Sequence, residues 1–206
     1  MPIQLCRTYW YSPLDGDRTI RLLTLSPGNH NEPISLTITH ASLDQQPIYE
    51  ALSYVWGPPL PSYPVRCNDG FLGVGQNLKD ALQHLRKPDE PRVLWIDRIA
   101  VNQEDMDERG QQVGLMADIY NSASLVVVWL GTEDASTKPA FEVINDLNLQ
   151  FLQFQRAQNA ENYAQAETMG HPIQYLPAND PEWTAVESLL QNQWFARVLT
   201  TLQWRF

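Results

Sequence analysis

The amino-acid sequence predicts an α/β fold: a largely parallel sheet flanked by helices, with a β-hairpin region on its N-terminal side. Three observations carry that expectation. Val93 to Gly131 reads as buried strand, polar loop, amphipathic helix and second buried strand, a βαβ crossover whose parallel right-handed form is the strong default. Thr19 to Leu25 and Ile34 to Thr39 alternate apolar with polar or small residues, the period of half-buried strands. Between these regions a helical pattern and short strands follow one another with turn residues at each junction.

Ser26 to Pro33, SPGNHNEP, is dense in turn residues and joins the first two strands as a hairpin connection. Tyr49 to Trp56 is a third strand, stopped by Gly57-Pro58-Pro59. Val65 to Val74 forms a small hairpin about Asn68-Asp69-Gly70, whose Asp-Gly pair suits a tight turn with positive φ. Asn77 N-caps a helix to about Arg86 with Leu78, Ala81, Leu82 and Leu85 on one face. Pro88 and Pro91 end it, and Arg92 to Ile96 is a short buried strand. Asp105 with Glu108 three residues on resembles a capping box and starts a helix carrying Val113, Met116, Ala117 and Tyr120 inward. Ser124 to Leu130, nearly all apolar and β-branched, reads as a central strand covered on both faces. A helix over 139–158 turns Phe141, Ile144, Leu147 and Phe151 inward, and 159–180 reads as a long loop. Pro181 to Gln191 is a further helix. One domain over 19–206, behind an N-terminal segment of residues 1–18, is the simplest organisation.

The 206 residues can bury a sizeable core. A formal net charge of −10 argues against nucleic-acid binding, which needs a basic face to displace counterions from phosphates. Cys6 and Cys67 are too few for a disulfide framework, and neither they nor the four histidines have metal-ligand spacing. Both read as free thiols, Cys67 half-buried on a strand. No signal peptide and no apolar run of membrane-spanning length is apparent, so the expected setting is the cytoplasm, without a membrane partner.

Asp97, Asn102, Gln103, Glu104 and Asp105 lie just past the end of a buried strand, the edge where open α/β sheets usually bind ligands. Asp97 either touches a ligand or caps its own loop. Asn102 and Gln103 either hydrogen-bond a ribose or base or hold the loop together. Glu104 and Glu108 act as a general acid or base if burial raises their pKa values, or else Glu108 sits charged at a helix N-terminus. Arg109 either meets a ligand or pairs with Asp105 at i,i+4. Tyr54, Trp56, Trp95 and Trp129 either stack on a flat ring or fill the core. There is no Gly-rich dinucleotide fingerprint or phosphate loop, and Ser53 lacks a nucleophile-elbow setting.

Four blocks in order resemble the fungal heterokaryon-incompatibility (HET) domain. Tyr49-Glu50-Ala51-Leu52-Ser53-Tyr54-Val55-Trp56-Gly57 is similar to the family's YxALSYxWG, and Asn77-Leu78, Ala81-Leu82 and Leu85-Arg86 to NLxxALxxLR. Leu94-Trp95-Ile96-Asp97 with Asn102-Gln103, Asp105, Glu108-Arg109, Gln112-Val113, Met116, Ile119-Tyr120 and Ala123 resembles LWIDxxCINQxDxxERxxQVxxMxxIYxxA. Val128-Trp129-Leu130-Gly131 is the fourth. Ala100 replaces the family's usual Cys, and Arg98 stands where a small residue is commoner. The family's closing block, similar to WFxRxWxxQE, is met by Trp194-Phe195-Ala196-Arg197, but Leu199 replaces its Trp and no Glu follows. A shortened variant, or a different reading of the gene's 3′ end, is the expectation there.

The resemblance implies a flavodoxin-like core distantly similar to TIR domains, whose relatives include enzymes cleaving NAD between nicotinamide and ribose. It implies a module of fungal self/non-self recognition and programmed cell death, with NAD as a candidate substrate rather than a resident cofactor. Asp97 and Glu108 are then the candidate catalytic acids, and Tyr54, Trp56, Asn102, Gln103 and Arg109 the candidate ligand-binding residues, with no metal. Two alternatives stand beside it. One is a non-enzymatic module that associates with itself or with a partner incompatibility protein. The other is a small secondary-metabolism enzyme with an aromatic pocket for an apolar substrate.

Overall fold

A computed structural model describes residues 8–58, 60, 62–159 and 181–196. The chain divides into two compact units, 1–131 and 132–206. The first holds a seven-stranded sheet of β1 (Thr19–Leu25), β2 (Ser35–Ser42), β3 (Glu50–Tyr54), β4 (Tyr63–Cys67), β5 (Gly70–Val74), β6 (Arg92–Trp95) and β7 (Leu125–Trp129). Their order is β5-β4-β2-β1-β6-β3-β7. Three helices accompany them, α1 (Gln76–Leu85), the single turn α2 (Asp97–Ala100) and α3 (Met106–Ser122). The second unit holds α4 (Thr137–Asn159) and α5 (Pro181–Leu190).

The expected α/β class is found. β3 runs parallel to both β6 and β7, and β2 parallel to β4. The antiparallel pairings are β1 with β2, β1 with β6, and the β4–β5 hairpin. The β6–α3–β7 crossover steps over β3, which lies between the two strands it joins. Helices flank the sheet on both sides. Trp95 touches Tyr120 of α3, ring centres 5.6 Å apart, and the register sets Trp95 beside Ala51 and Ala51 beside Val126. Trp129, an odd number of residues from Val126 and so on the other face, meets His84 of α1 at 5.0 Å.

Several expectations need correction. β1 does not alternate: as an interior strand it is buried on both faces, and Arg21 is 0% exposed. β7 is not a covered central strand. Among the described residues it pairs with β3 alone and forms the sheet edge, with Leu125, Val126 and Val128 exposed. α3 buries Gln112 and Ile119, while Val113 and Ala117 face out. Among the α4 residues whose burial is described, Ala140 and Val143 are buried, whereas Phe141, Ile144 and Phe151 are exposed. Asn77 is not an N-cap; Gly75 holds that place. The positive φ of the β4–β5 turn falls on Asn68, whose side chain bonds the Ile38 backbone. Cys67 is wholly buried, and burial pushes its thiol up to about 12. The expected long loop and most of the closing block lie outside the described residues. No described helix is long and apolar enough to cross a membrane.

Two buried arginines lock the loops onto the first unit. Arg86, at the end of α1, donates to the carbonyls of Asn29, His30, Glu32 and Pro33 and so fixes the β1–β2 connection. Arg21 donates to Ala100 O at 3.0 Å and Ser12 O at 2.6 Å, and grips both carboxylate oxygens of Glu108 at 2.5 and 2.8 Å. Removing one partner of such a buried pair leaves an uncompensated charge. Arg21→Leu is therefore expected to lower unfolding free energy by about 3–5 kcal/mol in urea melts, most of it from the stranded Glu108.

Candidate functional site

The parallel strands β6 and β3 end on the same edge, and their first residues beyond the sheet meet there. β6 gives way at Ile96 to α2, which places Asp97 in the first turn. β3 leaves the sheet through Trp56 and Gly57, whose φ of +70° turns the chain in a way a side chain would resist. The Trp56 indole N–H then donates to both Asp97 carboxylate oxygens at 3.0 Å. Asp97 also accepts the Arg98 backbone N–H at 2.7 Å. The Arg98 guanidinium carbon sits 5.2 Å from the centre of the Trp56 ring, a cation–π arrangement.

On the α1 side, Asn77 donates to Val55 O at 2.6 Å and accepts the Trp129 indole N–H at 2.8 Å. One amide thus ties the ends of β3 and β7 together. Asn77 was missed as a junction residue because its neighbourhood reads equally well as a helix start.

The loop after α2 is held by its own polar groups. Gln103 donates to Asp97 O at 2.9 Å, and Asn102 Oδ1 accepts from the Glu104 N–H. Asp105 caps α3 by accepting the N–H groups of Asp107 and Glu108, as the sequence suggested. The reciprocal half of a capping box does not form. Glu108 turns instead to Arg21 and to the Asn102 N–H at 2.7 Å. Burial pushes the Glu108 carboxyl up, but the Arg21 hydrogen bonds, the Asn102 N–H and the Arg21 charge outweigh it and hold it below the ordinary value. A general acid needs the opposite displacement.

On the far side of this loop lies an open cleft of about 380 Å³. Arg98, Asn102, Gln103 and Glu104 line one wall and Tyr9, Trp10 and Tyr11 another. The aromatic wall is anchored. Tyr9 N–H donates to Phe71 O at 2.9 Å, Tyr11 OH donates to Ile99 O at 2.9 Å, and Arg21 lies 5.0 Å over the Tyr11 ring. Desolvation pushes the Tyr11 hydroxyl up to about 12, although Arg21 acts against it.

The structure therefore brings Trp56 and Asp97 together, and sets Asn102 and Gln103 on the cleft wall. It separates the others. Tyr54 is 3% exposed and belongs to the core. Arg109 contacts Met106 Sδ at 2.9 Å and, among the described residues, makes no ion pair with Asp105. Trp95 and Trp129 are packing residues at strand ends. Sequence reasoning missed Arg21, the Tyr9–Tyr11 wall and the use of Arg98. A charged residue embedded in an apolar strand was the available signal for Arg21.

Comparison with known proteins agrees with the sequence blocks. The family model for heterokaryon incompatibility protein (HET) matches residues 49–202. The chain is 36% identical over 152 residues to heterokaryon incompatibility protein 6, OR allele, of Neurospora crassa. That match covers 67% of this chain and 22% of the relative, so the chain spans about a fifth of the relative's length. No solved structure matches.

Asn77→Asp separates the two accounts of that residue. An N-cap would tolerate the change, whereas a junction residue loses its donor to the half-buried Val55 carbonyl. The variant is expected to lose about 1–3 kcal/mol of stability in denaturant titration. An unchanged midpoint would restore the capping account.

Proposed function

This chain belongs to the heterokaryon incompatibility (HET) family, and on that premise we propose that it acts as a domain of fungal self/non-self recognition that triggers cell death. The observation that carries this reading is the family match over residues 49–202, which takes in β3, β6, β7 and the Trp56–Asp97 junction. Similarity to the Neurospora protein supports the same class of process.

The finer proposal is chemical: the domain cleaves NAD between nicotinamide and ribose. In that step the C1′–N bond breaks, nicotinamide leaves with the electron pair, and water supplies a hydroxyl to C1′. Positive charge develops on the ribose, so an ionised carboxylate at the sheet edge stabilises it. Asp97 suits that role by position, beside an indole that orients both its oxygens. Glu108 does not, because its carboxylate is spent on Arg21 and the Asn102 N–H.

Incubation of the purified chain with NAD, following nicotinamide by chromatography, tests this. Release by wild type and loss by at least a hundredfold in Asp97→Ala, with an unchanged melting curve, is the expected outcome. A well-folded wild type that releases none removes the enzymatic proposal and leaves the recognition role.

A second reading, self-association without catalysis, is favoured by β7. A strand that is the sheet edge among the described residues, with Leu125, Val126 and Val128 exposed, offers apolar surface to another strand. Light scattering over a hundredfold concentration range is expected to show a rising mass that Val126→Lys abolishes. A constant monomer mass refutes this reading.

A further inference from the structure

We propose that the cleft between the Tyr9–Tyr11 wall and the loop after α2 binds a purine nucleoside monophosphate, the phosphate on Arg98 and the base on Trp10. The inference goes beyond NAD cleavage and stands without it, since it concerns binding alone.

The cleft presents an unusual set of uncommitted groups. Through its guanidinium Arg98 makes no hydrogen bond or ion pair among the described residues; its one partner there is the Trp56 ring. The chain's other arginines in the first unit are mostly occupied: Arg18 by Asp44 and Asp118, Arg21 by Glu108, Arg92 by Glu50, and Arg86 by loop carbonyls. A guanidinium left open in a cleft of a strongly acidic chain is a site for a planar, multivalent anion, and phosphate is the group its fork of donors fits best.

Trp10 supplies the second half. The residue is 85% exposed although its neighbours are anchored, Tyr9 by its backbone N–H to Phe71 O and Tyr11 by its hydroxyl to Ile99 O. A ring held in water between anchored neighbours is available for stacking, and a base has a flat face to offer it. A smaller cleft of about 180 Å³, bounded by Asn68, Asp69 and Gly70, adjoins the same Thr8–Trp10 segment. Trp10 therefore borders two clefts.

The amides complete the reading. Gln103 uses its NH2 on Asp97 O, and Asn102 uses its carbonyl on the Glu104 N–H. Gln103 Oε1 and Asn102 Nδ2 are left as an acceptor and a donor on the cleft wall, the complement of a purine edge. A volume of about 380 Å³ falls within the ordinary range for small-molecule sites and suits one nucleotide. Bare phosphate would leave the aromatic wall unused, and an apolar ligand would strand the Arg98 charge.

Titration of the purified chain with AMP and GMP, read by quenching of tryptophan fluorescence and by saturation-transfer NMR, tests the proposal. Inorganic phosphate and guanosine serve as the two half-ligands. At least one nucleotide is expected to bind about tenfold or more tightly than either half-ligand. Trp10→Ala, at an exposed position with no role in the core, and Arg98→Gln should each weaken it by about tenfold or more. Arg98→Lys should recover part of the loss, because the charge remains while the fork is gone. Circular dichroism melts confirm that each variant is folded. Nucleotide binding no tighter than phosphate, or undiminished in folded Trp10→Ala and Arg98→Gln, overturns the proposal. NAD turnover enters neither outcome, so failure here and failure of the hydrolase proposal are told apart.

Discussion

Arg21 is the constraint on which the site depends. It lies wholly out of solvent on an interior strand, with a carboxylate partner itself only 10% exposed. A buried charge is costly unless its donors are matched, and here the matching is distributed: Glu108 from α3, Ala100 O from the end of α2, and Ser12 O from the N-terminal segment. Each of these elements is held near β1 because Arg21 would otherwise be uncompensated. The loop of Val101 to Asp105 runs between two of its anchors, and the aromatic wall adjoins the third at Ser12. One ion pair thus sets the width of the cleft.

The same pair makes folding sensitive to acid in a definite direction. The folded carboxyl of Glu108 titrates below its ordinary value of 4.5, so the folded state binds the proton less readily than the unfolded chain. Its contribution to stability is complete above that ordinary value and is lost as pH falls through the lower folded value. Protonation of Glu108 removes one partner from a pair that is unfavourable to break. The acid response therefore concentrates on the loop after α2 and the N-terminal wall, the two parts that Arg21 joins.

What was legible in the sequence divides along physical lines. The strand segments were readable: β1, β2, β3 and β6 lie on the stretches named from sequence, and the inner face of α1 at Leu78, Ala81, Leu82 and Leu85 falls where periodicity set it. The strand, loop and helix that carry the candidate residues past β6 were readable too. What local pattern does not contain is which strand ends up beside which. β7 has the composition of a central strand, yet β3 sits between it and β6, and it becomes an edge. Arg21 reads as the outward residue of an alternating strand until β1 is seen to lie between β2 and β6. Asn77 is a good cap by type, but the ends of β3 and β7 offer it a carbonyl and an indole N–H that no neighbour in sequence reveals.

The two acids singled out from sequence show why position along the chain is a poor guide to chemistry. Asp97 and Glu108 flank one loop, and either type suits a sheet-edge site. Their surroundings separate them. Glu108 is chelated by a buried guanidinium and a backbone N–H, so protonation or nucleophilic attack would first break the contacts that hold β1 to α3. Asp97 accepts an indole N–H and a backbone N–H that orient it at the open end of the parallel strands. Arg98, one residue on, is carried by the turn of α2 to the cleft side of the same loop. A carboxylate and a cation are thereby displayed from one short helical turn, both against the Trp56 indole. That turn, rather than the acidic cluster as a whole, is what sets Asp97 apart as a candidate.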